Sequence, residues 1–340
     1  MPDRGGAPTI IDVARRAGVS KSVVSRVLTG SGGVASATQE RVRTAAAELG
    51  YVANAMARGM VARRTHTIGA FVRDASQPFY GHLLTAMQER ATALGYQVVT
   101  ATGSGSFTVA DEVRALEALV GLQVEGLLVC SGLIPVADVL PFAGRVPTVV
   151  AGRPETEDSL SSVYCDEAGG GRGLADHLWS LGHRRVAVVT VRADRSLTMA
   201  PRTAEMARRL RERGAQVVKV TDEQVRQDSR GDDLIEHLLS EPGISAVMTP
   251  SDHYALEVLE ALDRRGLRAP DAISVTGYDG VAPLTTPLLG LTTWTQPLGT
   301  VGAYAVDEVV AQVEAVADGA RHRAVDGYLV PGRTAGPPSR

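Results

Sequence analysis

The chain has 340 residues, 44% of them hydrophobic and 21% charged, and none of its apolar runs reaches the ~18–20 residues that a membrane-spanning helix needs. Its net charge of −3 hides an asymmetry: residues 1–64 hold ten Lys and Arg against four acids, a net of +6, while the rest holds 25 against 34, a net of −9. A basic head on an acidic body suits a polyanion-binding module joined to a soluble partner domain, although charge alone leaves a merely solvated basic surface open.

In the head, Thr9 followed by Asp12 has the spacing of a capping box, with Asp where Glu or Gln is usual. Ile10, Val13, Ala14 and Ala17 then place an apolar stripe on a first helix. Gly18 and Val19 make a tight turn, and Ser20 caps a second helix over 21–28 whose apolar residues are Val23, Val24 and Val27. A glycine-rich loop, 30–33, leads to a third helix over 36–49. Ser36 and Gln39 have capping-box spacing there, and Val42, Ala45, Ala46 and Leu49 form the apolar face. Two short helices across a Gly turn with a third behind them follow the helix-turn-helix plan, in which the second helix enters the major groove of DNA. Its exposed residues are Ser20, Lys21, Ser22, Ser25 and Arg26, able to donate to guanine edges or to meet phosphates. The plainer reading of the same pattern is a three-helix bundle with a basic face.

From His66 onward, buried strands alternate with helices. The strands are predicted over 67–72, 96–101, 124–130, 146–151, 163–165, 185–190, 216–220, 246–249 and 273–277, with an amphipathic helix over 83–94. Such alternation implies parallel sheets covered by helices, and so many strands imply two α/β lobes. Lobes of this kind bind small molecules in the crevice at the carboxyl ends of their strands. The polar residues at those ends are Asp74, Ser76, Asp166, Asp252 and Asp279, each with a helix cap or turn as its plainer role. The run Gly169 to Gly173 follows a strand but lacks the spacing of a phosphate loop, and reads as a tight helix start. Cys130 and Cys165 stand in apolar stretches and read as core residues. No catalytic constellation, metal-ligand spacing or cofactor motif stands out. Residues 1–6 carry no apolar secretory stretch, so a cytoplasmic location is expected.

The run Ile11-Asp12-Val13-Ala14-Arg15-Arg16-Ala17-Gly18-Val19-Ser20, followed by Val24-Ser25-Arg26-Val27-Leu28, resembles the signature of the lactose-repressor (LacI) family. The resemblance implies that Lys21 and Ser22 help read an operator, that Arg26 contacts base edges or nearby phosphates, and that Thr9, Ser20 and Ser25 contact phosphates. The family's Thr is Val23 here and its Asn is Thr29. Residues 52–60 stand where the family has a hinge helix that pairs with its twin and wedges the minor groove. Asn54, Ala57 and Arg58 match that pattern and Met60 takes the wedge position, whereas Ala53, Gly59 and Met60 depart from Pro, Ser and Leu.

The body continues the resemblance. Asp74 to Tyr80 is similar to D-x-x-N-P-F-F, Asp166-Glu167 stands at D-N, Leu181 to Val186 is similar to L-G-H-R-x-I, Ser251-Asp252 stands at N-D, and Val275 to Asp279 is similar to V-x-G-F-D. What this implies is an all-α helix-turn-helix head on an α/β, periplasmic-binding-protein-like body of two lobes. The expected effector contacts are Asp74, Ser76, Phe79, Arg202 and Asp252, with Ser251 and Gln77 departing from Asn. The implied protein is a transcriptional regulator, most simply a repressor and not an enzyme. It would act as a homodimer on a near-palindromic operator under control of a small, sugar-like effector. The expected division is 1–51 for the head, 52–65 for the hinge and 66–340 for the body. Its lobes are expected over roughly 66–162 plus 296–322, and 163–295 plus 323–335.

Overall fold

A computed structural model describes residues 8–29, 32–51, 64–103, 108–221, 232–316 and 319–338. The chain divides into two compact units, Met1–Thr65 and His66–Arg340. The expected hinge residues Asn54, Ala57, Arg58 and Met60, with Ala53 and Gly59, lie outside the described residues.

The head has three helices, α1 (Ile10–Ala17), α2 (Lys21–Thr29) and α3 (Ser36–Glu48). The α1 capping box forms as its spacing predicts: Asp12 N–H donates to Thr9 Oγ1, and Thr9 N–H donates to Asp12 Oδ2 at 2.9 Å. Gly18 closes α1 at φ 65°, a left-handed conformation that costs glycine nothing. The box expected at α3 does not form. Ser36 is already the first helical residue, Ala35 occupies the cap, and Gln39 Nε2 donates instead to Val34 O at 2.9 Å. Val13, Val24 and Val42 are fully buried between the helices, with Ala14, Ala17, Val27, Ala45 and Ala46 around them. Val23 packs partly buried at the edge of this core, so the position gives packing area where a hydroxyl was expected.

The body alternates β1 (Thr67–Val72), α4 (Pro78–Ala93), β2 (Gln97–Thr102), α5 (Val109–Gly121), β3 (Gly126–Cys130), α6 (Val136–Ala143), β4 (Thr148–Ala151), β5 (Ser161–Cys165) and α7 (Glu167–Ser180). It continues with β6 (Arg185–Thr190), α8 (Met199–Glu212), β7 (Gln216–Thr221), α9 (Asp232–Ser240), β8 (Ala246–Met248), α10 (Asp252–Arg264) and β9 (Ser274–Asp279). The last elements are β10 (Thr292–Thr295), α11 (Leu298–Val313), β11 (His322–Val325) and β12 (Tyr328–Val330). Helix α4 begins five residues before the predicted 83 because Pro78 presets the first helical φ after an extended Gln77. Strands β10, β11 and β12 were not predicted.

Among the described residues the strands form two six-stranded sheets, β2-β1-β3-β4-β5-β11 and β7-β6-β8-β9-β10-β12. All pairings are parallel except β10 with β12. Each sheet is buried on both faces, which is why its central strands read as unbroken apolar runs. β5 and β11 pair within the first sheet, so the chain crosses between lobes after Cys165 and after Val325, a few residues later than the expected 163 and 323. In both sheets the strand order reverses beside the first strand, between β1 and β3 and between β6 and β8. The crevice outside those carboxyl ends is where α/β sheets receive ligands.

The glycine run is a packing device. A Cβ at Gly170 would lie 2.8 Å from Trp294 Cδ1 and closer still to the Tyr278 hydroxyl, and one at Gly171 would lie 2.9 Å from Arg202 O. The absent side chains let α7 press against α8, Tyr278 and Trp294, and this brings the start of α7 up to the crevice. Both cysteines are buried, and burial pushes the Cys130 thiol up to about 12 and the Cys165 thiol above the usual range.

Candidate functional site

In the head, Ser20, Lys21, Ser22 and Arg26 are exposed on α2, while Val24 and Val27 hold its opposite face in the core. Ser25 is half-buried beside Arg26. Ser20 Oγ caps the helix by accepting from Val23 N–H at 3.4 Å and lies 2.9 Å from Ser22 Oγ. Thr9 is exposed at the start of α1. The structure therefore brings Ser20, Lys21 and Ser22 together at one helix N-terminus. There the free N–H groups and the dipole favour an anion such as a phosphate, and the Lys can reach a base edge.

The second site lies between the lobes. They touch where Leu197 N–H donates to Gly132 O at 2.7 Å and where His82 Nε2 lies 3.5 Å from Ala282 O. On the first lobe, Asp74 Oδ1 accepts from Ser76 N–H at 2.9 Å and Ser76 Oγ at 2.6 Å, closing the turn between β1 and α4. Phe79 is half-buried, edge-on to Tyr80 with ring centroids 5.1 Å apart. Behind them stands a group that sequence reasoning did not single out. Glu112 of α5 is fully buried, accepts from Ser131 Oγ at 2.5 Å and lies 3.4 Å from Arg73 Nε. Burial, partly offset by Ser131, raises its carboxyl above the usual range. Arg153, only 2% exposed, donates from Nη1 to Ser131 O at 2.9 Å and from Nε to Glu155 at 2.7 Å.

On the second lobe, Arg202 of α8 is 2% exposed. It donates from Nε and Nη2 to both oxygens of Glu167 at 2.6 and 2.8 Å, and from Nη1 to Pro250 O at 2.5 Å. Its guanidinium lies 3.7 Å from the centre of the Tyr278 ring and 3.5 Å from Asp279 Oδ1. Burial works against this charge, yet Glu167 holds the guanidinium well above its ordinary range. Asp279 ends β9 with φ at 114°, a conformation that strains a residue with a Cβ, and accepts from Gln296 Nε2 at 2.7 Å. Burial pushes its carboxyl well up, opposed by Arg202 and reinforced by Asp252 and Glu167.

Asp252 follows β8, as the sequence places it, and its oxygens are already engaged. It is 1% exposed, and its oxygens accept from Thr293 Oγ1 at 2.6 Å and Val281 N–H at 3.1 Å. It ties the start of α10 to β10 and to the loop after β9. Burial, only partly offset by these bonds, pushes its carboxyl up to about 6. The acid beside Arg202 is Asp279, which the sequence marked only as a strand-end residue. The structure thus brings Arg202 together with Asp279, Glu167 and Tyr278, and places Asp74, Ser76 and Phe79 at the strand ends of the other lobe.

A helix-turn-helix head joined to a two-lobed α/β body with a polar crevice is the build of a DNA-binding transcriptional regulator. A family model described as "Bacterial regulatory proteins, lacI family" matches residues 9–54, and one described as "Periplasmic binding protein-like domain" matches residues 175–335. The chain is 35% identical over 290 residues to the HTH-type transcriptional regulator CelR of Thermobifida fusca, covering 82% of this chain and 83% of the relative. Its fold is similar to that of the lac repressor dimer bound to operator and the anti-inducer ONPF, with a TM-score of 0.80 and 25% identity over 97% of this chain and all of that one. It is also similar to a CelR–cellobiose complex, with a TM-score of 0.68 and 28% identity over 96% of this chain and all of that one. The chain belongs to the LacI family. It is a DNA-binding transcriptional regulator and not an enzyme. No helix among the described residues is long and apolar enough to cross a membrane.

Proposed function

We propose that this protein is a cytoplasmic, homodimeric repressor whose affinity for a near-palindromic operator is set by a sugar-like effector held between its lobes. The observation that carries this reading is the buried polar constellation of Arg202, Tyr278 and Asp279 in one lobe, together with Asp74, Ser76 and Phe79 beyond the carboxyl end of β1 in the other. Rings backed by hydrogen-bonding side chains suit a polyhydroxyl ligand, which offers apolar faces and several donors and acceptors. The similarity to a regulator solved with cellobiose points the same way. Lobe closure around such a ligand shifts the protein between two arrangements only by the ligand's differential affinity for them. Two heads carried by a dimer then reach successive major grooves through Lys21, Ser22 and Arg26, with Thr9, Ser20 and Ser25 on phosphates. Residues 52–65 supply the hinge, with Met60 as the apolar wedge and Asn54, Ala57 and Arg58 beside it.

Fluorescence anisotropy on DNA from upstream of the protein's own gene, in a salt series with and without cellobiose and other neutral sugars, tests this reading. The expected result is salt-sensitive, sequence-specific binding that one of the sugars changes at least tenfold. Binding that no sequence and no sugar alters would overturn it.

A further inference from the structure

The arginine at the centre of the crevice has little charge left to offer. Arg202 carries five N–H donors, and three are placed: two on Glu167 and one on Pro250 O. A second carboxylate, Asp279, stands 3.5 Å away. One cation therefore serves two acids, and a third, Asp252, is buried nearby. The first lobe repeats the arrangement. Arg153 is paired with Glu155 at 2.7 Å, and Arg73 lies 3.4 Å from Glu112. Each of these guanidinium groups comes with its own carboxylate, so an incoming anion meets none that is unneutralised.

Glu167 is placed for this task. It is the first residue of α7, where the helix dipole favours a negative charge, and the packing of Gly170 and Gly171 seats that helix end against Arg202 and Tyr278. Both of its oxygens are used in a two-point pair with a planar guanidinium, the strongest ordinary form of this contact. The remaining N–H on each terminal nitrogen can still orient a neutral hydroxyl. A phosphate or a sugar acid would have to displace Glu167 or sit among buried carboxylates.

We infer that Glu167 is a specificity-determining residue that neutralises Arg202 and so restricts the effector to uncharged polyhydroxyl compounds, shutting out sugar phosphates and sugar acids. This inference rests on the effector site proposed above. Calorimetric titration of the full-length protein with inorganic phosphate, glucose 6-phosphate and a panel of neutral sugars tests it. Wild type is expected to bind neither anion. Glu167→Gln, which keeps the size but removes the charge and one of the two acceptors, is expected to bind phosphate at least tenfold more tightly. The double variant Glu167→Gln with Arg202→Gln is expected to lose that gain. The inference is overturned if wild type binds either anion, or if a folded Glu167→Gln protein gains no affinity. The wild-type arm decides even where the variant does not fold. Failure of every neutral sugar counts against the effector site itself, a result separate from the role of Glu167.

Discussion

The head and the body use charge in opposite ways. In the head the polar groups stand outside a core of small residues. Lys21 and Ser22 are exposed, and Asp12 is held below its usual carboxylate range by hydrogen bonds from Thr9 at the helix end. In the body the equivalent groups are inside. Arg202, Glu167, Asp252, Arg153 and Glu112 are all nearly inaccessible, and each is held by partners fixed within the fold. An exposed charge is free to meet phosphates and is worth little to the fold. A buried one is tied into the fold, and the ligand must be compatible with the partners it already has. The difference teaches that a single change at the first site alters contacts to a partner, while a single change at the second also alters the fold that holds it.

The largest expected effect breaks that network. Arg202→Met leaves Glu167 and Asp279 buried without their cation and should destabilise the body by about 3–5 kcal/mol in chemical denaturation. The matching change in the head, Lys21→Ala, should alter stability by less than about 0.5 kcal/mol while weakening specific operator binding by about 1–3 kcal/mol. Equal stability losses would show that the two regions do not differ as described.

A smaller effect comes from His183, fully buried between Ser245 Oγ at 2.8 Å and Gly336 O at 2.9 Å. Nε2 donates to the carbonyl, which leaves Nδ1 to accept from the serine, so the ring is neutral. Burial lowers its pKa below the ordinary 6.5. The unfolded chain therefore takes up a proton below 6.5 that the native ring refuses, and stability falls as the pH drops from 6.5 toward the depressed native value. Melts of wild type and His183→Asn between neutral and mildly acid pH should show a steeper loss in wild type. Parallel curves would remove His183 from the account.

How far each site was legible follows from the same contrast. The α2 surface and the Thr9–Asp12 box are local, since every partner lies within four residues, and spacing alone discloses them. Even so, the predicted box at Ser36 does not form, because Ala35 occupies the cap and Gln39 bonds Val34 O instead. The body's strands were legible where both faces are buried, as in β1, β3 and β6. β11 and β12 escaped notice because they are short and half exposed and lack an apolar run. The crevice was legible only as a set of strand-end acids. Whether Asp252 or Asp279 stands beside Arg202 depends on Thr293, a partner 41 residues away that draws Asp252 inward. Glu112 reads as a solvent-facing helix residue until Ser131 and Arg73 arrive from other strands. Glu167 was visible at its motif position, but its hold on Arg202 depends on the fold.

The smallest expected effect tests the head's independence from any such network. Thr9→Ala removes the hydroxyl that accepts from Asp12 N–H and donates to Asp12 Oδ2, and loss of an N-cap should lower the stability of the head by about 1 kcal/mol. The same hydroxyl is the leading cause of the depressed Asp12 pKa. A depressed carboxyl stabilises the native state above its ordinary 3.8, and that contribution is lost as the pH falls through the native value. In the variant the Asp12 titration, followed by NMR, should move back up toward 3.8, and the acid limb of the head's melting curve should flatten. The body's melt should stay where it is, since the Thr9 and Asp12 side chains bond only between these two residues and to Arg15 among the described contacts. A shift of the body's transition in Thr9→Ala would mean that cap and body are coupled, and the contrast between the two regions would fail at its simplest point.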